Sequence, residues 1–213
     1  MSHVILALDY DDTLCKTGAY INEQIKYFFW QQGMEKEHQF ILDNEDKMST
    51  MHYPEFIKKH VNEQVIGPGL YMLQAKPTPL ATRGIMRVLQ DFKQRYPTHL
   101  KIVGCTHRGF HKDGERFTRA WLKTMMIDHM FDDLHMLDSK NDPNKVEFLK
   151  QTYPDAQIVL VDDNPLHDHD KIHPKMDELV IYDRENKYEG YKHQQTYDSI
   201  HGLIRILESK LVY

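Results

Sequence analysis

Asp9, Asp11, Asp12 and Thr13 crowd the end of "VILALDYDDTL", residues 4 to 14, directly behind five apolar residues. Two other apolar runs end in equally reactive groups. "KIVGC" is followed by Thr106, His107 and Arg108, and "QIVLV" by Asp162 and Asp163. Lys145 opens the helical pattern that precedes the second of these runs. Brought to one place, the run ends would make a crevice of carboxylates, a hydroxyl and an ammonium group. Carboxylates that close cannot all stay ionised without a cation. Hard oxygen ligands with water positions to spare suit Mg²⁺, which works on phosphates. A phosphate could then lie with one oxygen on the cation and others against Lys145 and Thr106. Asp9 would attack phosphorus, and water would hydrolyse the aspartyl phosphate. Asp11 is placed to protonate the leaving oxygen and later to deprotonate that water.

The elements that would position these groups are legible. Short, partly β-branched runs at Val4 to Leu8, 100–105 and 157–161 suit buried parallel strands, with weaker runs at 134–137 and 179–182. Helical patterns lie between them. In one, Leu80, Ile85, Val88, Leu89 and Phe92 form a stripe; in the last, Ile200, Leu203, Ile204 and Leu207 do. Alternation of this kind predicts an α/β fold, a Rossmann-like parallel sheet sandwiched by helices. One polar segment breaks it. Residues 15 to 76 hold two helical patterns, "INEQIKYFFW" and "PEFIKKHVNEQV", and no convincing strand. The expected division is a core of 1–14 and 77–213 with a small helical cap of 15–76. Inserted after the first strand, the cap would overhang that strand's C-terminal end, where open α/β sheets bind ligands.

"LDYDDTL" resembles the DxDxT signature of the haloacid dehalogenase-like (HAD) superfamily of phosphatases, and the resemblance continues in order along nearly the whole chain through Thr106, a lysine and "VLVDDNP". It implies Asp9 as nucleophile, Asp11 as acid/base, Thr106 as the phosphate-binding hydroxyl and Lys145 as the phosphate-orienting lysine, with Lys140 a neighbouring alternative. It further implies Mg²⁺ held by Asp9, the backbone carbonyl at Asp11 and Asp163, with Asp162 a second ligand or its neighbour. His107 and Arg108, just past the hydroxyl, are expected to face the substrate. "DDNP" is similar to the ending found in members that act on phosphoproteins, so a phosphotyrosine substrate is favoured; Tyr27, Phe28, Phe29 and Trp30 could wall its ring, or a nucleotide base, by stacking, but helix core is the better reading of these four. A nucleotide or other small phosphate ester, or a phosphomutase reaction, fits the same chemistry.

Plainer readings exist for several positions. Asp12 is expected as a solvated turn residue and Thr13 as a brace of its loop. "HDHDKIH" (167–173) looks like a transition-metal site, but a chance cluster in a chain with 14 histidines is the better reading; Asp168 within it either helps the metal shell or bonds its loop. A receiver-type signalling domain also gathers Asp, Thr and Lys around Mg²⁺, yet places its phosphoacceptor on an interior strand and lacks such an insertion. A binding-only relative is disfavoured because every catalytic position is intact.

Composition sets the outer limits. The 213 residues suffice for one sizeable core, and 28% charged with 40% hydrophobic residues is ordinary for a soluble protein. A net charge of −5 offers no basic excess for nucleic acid. Two cysteines are too few for a disulfide framework, and no apolar stretch is long enough for a signal or a membrane span, so a cytoplasmic location is expected.

Overall fold

The computed structural model describes residues 3–48, 50–138, 140–141, 144–163, 179–182, 195–197 and 200–211. Among the described residues six strands form one sheet: β1 (His3–Leu8), β2 (Leu100–Thr106), β3 (Asp133–Met136), β4 (Ala156–Asp162), β5 (Leu179–Tyr182) and β6 (Gln195–Tyr197). Their order is β3-β2-β1-β4-β5-β6 and every pairing is parallel. The chain therefore reverses its winding between β1 and β4, and a crevice opens beyond the carboxyl ends of those two strands.

Side chains alternate across the sheet, so the uninterrupted apolar run of β1 serves two cores. Val4, Leu6 and Leu8 pack on one face with Met86, Leu89 and Phe92 of α5 (Arg83–Arg95), Trp121 and Leu122 of α6 (Gly114–Met125), and Leu203, Leu207 and Leu211 of α8 (Ile200–Leu211). Ile5 and Ala7 pack on the other with Val146 and Leu149 of α7 (Lys145–Thr152). The result is the expected α/β/α sandwich. Val88 departs from the predicted stripe, in which the side chain of Ile85 lies outside those described. Val88 is exposed and Met86 is buried instead, because Val88 sits about 100° round the helix from Leu89 and so clears the sheet. Gly104 in β2 answers to packing: a Cβ there would lie 2.6 Å from Leu134 and 2.7 Å from the hydroxyl of Tyr10, whose ring fills that space.

The polar segment after β1 is helical. It contains α1 (Thr17–Gln31), α2 (Glu35–Asn44), α3 (Glu55–Val61) running on into a π turn (Asn62–Ile66), and α4 (Tyr71–Gln74). Ile21, Ile25, Phe29, Ile41, Tyr53, Ile57, Val61 and Val65 close a core separate from those of the sheet. The sequence gives no sign of α2, since only Ile41 of its ten residues is buried and no apolar stripe advertises it. The segment leaves and re-enters beside β1 through paired backbone: Lys16 N–H donates to the carbonyl of Lys76 (2.8 Å) and Thr78 N–H to that of Leu14 (2.8 Å). The indole N–H of Trp121 adds a bond to the Ala75 carbonyl (2.7 Å), anchoring the return to α6. No helix among the described residues is long and apolar enough to cross a membrane.

Candidate active site

Register brings the three loaded strand ends level. Leu8 pairs with Gly104 on one side and Val161 on the other, and Asp9 N–H donates to the Val161 carbonyl (2.9 Å). Asp9, Thr106 and Asp162 consequently meet at the switch point, all buried. Lys145 arrives from the N-terminus of α7, where Asn144 caps the helix by accepting from Glu147 N–H (2.9 Å). A cation is misplaced at the positive end of a helix. Its position answers to the carboxylates: Lys145 Nζ lies 2.8 Å from Asp9 Oδ1 and 2.7 Å from Asp162 Oδ2. Lys140 is exposed on a turn, so of the two lysines Lys145 is the one that reaches these carboxylates.

Three buried oxygens lack a hydrogen bond among the described residues, the Tyr10 hydroxyl and two at the strand ends. Asp9 Oδ1, though ion-paired with Lys145, lies outside hydrogen-bond geometry, and Thr106 Oγ1 finds no hydrogen-bond partner among the described residues. Buried polar atoms are ordinarily satisfied, so oxygens without hydrogen bonds at two neighbouring strand ends suit a polar ligand. Burial pushes the Asp9 carboxyl up to about 7, against the pull of Lys145 and with the further push of Asp162 and Asp11. Burial together with Asp162 and Asp9 raises Asp163 well above the carboxylate range. Carboxylate oxygens of Asp9, Asp162 and Asp163 all lie within 4.8 Å of one another. An all-oxygen set that is short of positive charge fits a hard divalent cation.

The loop after β1 is held by hydroxyls. Thr13 Oγ1 accepts from Asp163 N–H (2.9 Å) and donates to Asp163 Oδ1 (3.2 Å), while Thr78 Oγ1 donates to the Thr13 carbonyl (2.6 Å). Thr13 is thus the brace that was expected. Asp12 is more than a solvated turn residue. Its backbone is left-handed (φ 55°), a conformation that short Asp tolerates, and its carboxylate accepts from Gly18 N–H at 3.0 Å in the first turn of α1.

Arg108 occupies a place the sequence did not suggest. Its guanidinium is fully buried and forks onto Asp11, with Nη2 donating to Oδ1 (2.6 Å) and Nε to Oδ2 (3.0 Å). Nη1 donates to Thr118 Oγ1 of α6 (3.1 Å) and the Met72 carbonyl of α4 (3.4 Å), and the group sits over the rings of Tyr10 and Tyr71. Thr17 Oγ1 donates to Asp11 Oδ1 as well (2.6 Å). Burial alone would raise the Asp11 carboxyl; Arg108 outweighs it and holds the group below its usual range. Thr17, Thr118 and Tyr71 carried no signal, because each reaches the site through packing rather than through a motif. His107 is half-buried. Of the four ring residues grouped as a wall, Phe29 is in the cap core, Phe28 packs partly against it, and Tyr27 and Trp30 are exposed. "HDHDKIH", Asp168 and the "NP" of "DDNP" lie outside the described residues.

No protein-family model matches the chain, and no curated protein matches it in sequence. Solved structures do match in fold. A hydrolase of the haloacid dehalogenase-like family from Streptococcus pneumoniae is 14% identical, with 96% of this chain and 98% of that chain covered at a TM-score of 0.58. A predicted phosphatase from Clostridium acetobutylicum is 14% identical, with 98% and 99% covered at 0.57. A predicted phosphoglycolate phosphatase from Haemophilus somnus is 12% identical, with 97% and 99% covered at 0.59. The chain has the haloacid dehalogenase-like fold over essentially its whole length.

Proposed function

We propose that the protein is a Mg²⁺-dependent phosphomonoester hydrolase working through an aspartyl phosphate on Asp9. The observation that carries this reading is Asp9, buried and ion-paired with Lys145, beside the strand end that presents Thr106 Oγ1, a buried hydroxyl with no hydrogen-bond partner among the described residues. A phosphoryl group placed there has a nucleophile on one side, a hydroxyl donor on another and a fixed positive charge beside it. Asp163 and Asp9, with Asp162 alongside and the backbone carbonyl at Asp11, are the residues that would hold Mg²⁺. When bound, the metal neutralises phosphate charge and so lets an anion enter an acidic crevice.

Asp9 attacks phosphorus as the bond to the leaving oxygen breaks. Lys145, whose charge is made more secure by Asp162 and Asp9 than burial makes it precarious, offsets the negative charge on the transferring group. Thr106 orients one phosphoryl oxygen. Asp11, which Arg108 holds ionised, is set to take a proton from the water that cleaves the acyl phosphate, and it must itself take up a proton before it can protonate the leaving oxygen.

The substrate we favour is a small phosphate ester. Thr17 touches Asp11, and at 1.5 Å per residue Tyr27 and Trp30 lie about 15 and 20 Å farther along α1. A phenyl ring on a phosphate held at Asp9 does not reach them, so these two aromatics lend no support to phosphotyrosine, and Phe29 is enclosed in the cap core. Turnover of p-nitrophenyl phosphate with and without Mg²⁺, with mass-spectrometric trapping of phosphorylated Asp9, tests the chemistry. No Mg²⁺-dependent turnover, or phosphate on a residue other than Asp9, would overturn it. A panel of small phosphate esters and phosphotyrosine peptides tests the substrate class, and a preference for the peptides would reverse that choice.

A further inference from the structure

The carboxyl ends of the strands carry the candidate active site, and their amino ends carry a second concavity. A cavity of about 590 Å³ opens there, at the starts of β1, β2 and β4, within the size range of small-molecule sites. His3 lines it and opens β1, while Asp9 follows the far end of that strand, so the two lie about 20 Å apart.

The floor of the cavity is the sheet. Side chains alternate along β2, so Lys101 shares the face of Val103 and Cys105. Those two are buried under α7, but that core does not extend to Lys101, which is exposed. Register sets Lys101 beside Ile5 and His3 beside Ala156. The rings of His3 and His99 stack with centroids 5.9 Å apart and planes 20° from parallel, and His99 Nδ1 pairs with Thr98 Oγ1 at 2.9 Å. The Tyr153 hydroxyl is engaged with His135 Nε2 (2.9 Å), which leaves its ring to the cavity together with Pro97 and Pro154.

Charge decides what such a cavity takes. Lys101 makes no ion pair among the described residues, two imidazoles line the same space, and the one carboxylate in the lining is the exposed Asp155. In a chain of net charge −5 this is a basic concavity, opposite in sign to the acidic crevice at the other strand ends. We propose that the cavity is a second binding site, for a small organic anion whose apolar body lies against Ile5, Tyr153 and the two prolines and whose charge meets Lys101 and His99. The proposal is independent of the reaction at Asp9.

The test titrates the full, metal-free, ¹⁵N-labelled chain with naphthalene-2-sulfonate and with its uncharged counterpart, naphthalene-2-sulfonamide, and follows the amide shifts. The sulfonate is expected to move the amides of His99, Lys101 and Ala156 and to bind about 5-fold more tightly than the sulfonamide, the upper end for a partly exposed ion pair. Lys101→Glu is expected to remove that preference, and His99→Gln to reduce it. Should Lys101→Glu fail to fold, Lys101→Gln replaces it with the same expected loss. Shifts confined to the crevice at Asp9, no shifts with either probe, equal affinities for the two, or a preference unchanged by the Lys101 substitution would each overturn the proposal.

Discussion

The two halves of the molecule bury polar groups for different ends. In the cap, the Tyr53 hydroxyl donates to Asn22 (2.9 Å), and a single buried atom, the ring nitrogen Nδ1 of His60 between Phe28 and Phe29, lacks a hydrogen-bond partner among the described residues. At the strand ends, Asp9, Thr106, Lys145 and Asp162 are buried together, and Asp9 Oδ1 and Thr106 Oγ1 remain unmatched. A satisfied polar pair fixes a fold. An unsatisfied set in a crevice, with carboxyl groups displaced from their ordinary ionisation, is where chemistry is expected. The two parts are joined by Arg108 and by the backbone bond from Lys16 N–H to the Lys76 carbonyl.

The largest test of that division is the nucleophile. Asp9→Asn should lower turnover of p-nitrophenyl phosphate by about 10⁴-fold or more while leaving the circular dichroism spectrum unchanged. Near-normal activity would remove Asp9 from its role.

Metal removal should be almost as severe. Chelation with EDTA should abolish turnover and Mg²⁺ restore it, and Asp163→Ala should raise the Mg²⁺ concentration needed for half-maximal activity. A pH dependence follows from Asp9, raised to about 7 by burial above all, and from Asp163, raised in the same direction. Below that range the native protein holds protons on these groups that the unfolded chain, at its ordinary carboxylate values, has lost, so cation and proton compete. The rise in melting temperature on adding Mg²⁺ should therefore be larger at pH 8 than at pH 5.5. Equal rises would mean that these carboxylates do not bind the cation.

Lys145→Ala should cost on the order of 10²-fold in kcat, by removal of a fixed charge beside the transferring group, whereas Lys140→Ala on its exposed turn should leave kinetics within about 2-fold. The reverse ranking would displace Lys145. The smallest effect is expected from the far end of the cap. Trp30→Ala should change kcat/KM by less than about 2-fold on small esters, since the side chain is 65% exposed and remote along α1. A tenfold loss confined to phosphotyrosine peptides would bring the distal cap into substrate recognition and sharpen the boundary between the two halves.

Sequence alone settled the strands that carry chemistry and the residue types at their ends. A short apolar run that closes in Asp, Thr or paired Asp is unmistakable, because a strand buried on both faces leaves polar groups only where it stops. It likewise placed Thr13 as a brace and the polar insertion as helical. It did not reveal α2 or β6, where too few apolar residues form a pattern, and it put Val88 on the wrong side of α5. Spacing favoured Lys145 over Lys140, but which ammonium lies against Asp9 is seen only in three dimensions. The partner of Asp11 needed them most. Arg108 is 97 residues away in the chain, and only the parallel register of β1 and β2, with Thr118 and Met72 closing round it, turns an arginine beside a motif into a buried fork on the acid/base. Local pattern fixes which groups are delivered to a strand end; the pairing of buried charges is decided by packing, because desolvated ions take whichever counter-charge the fold encloses with them.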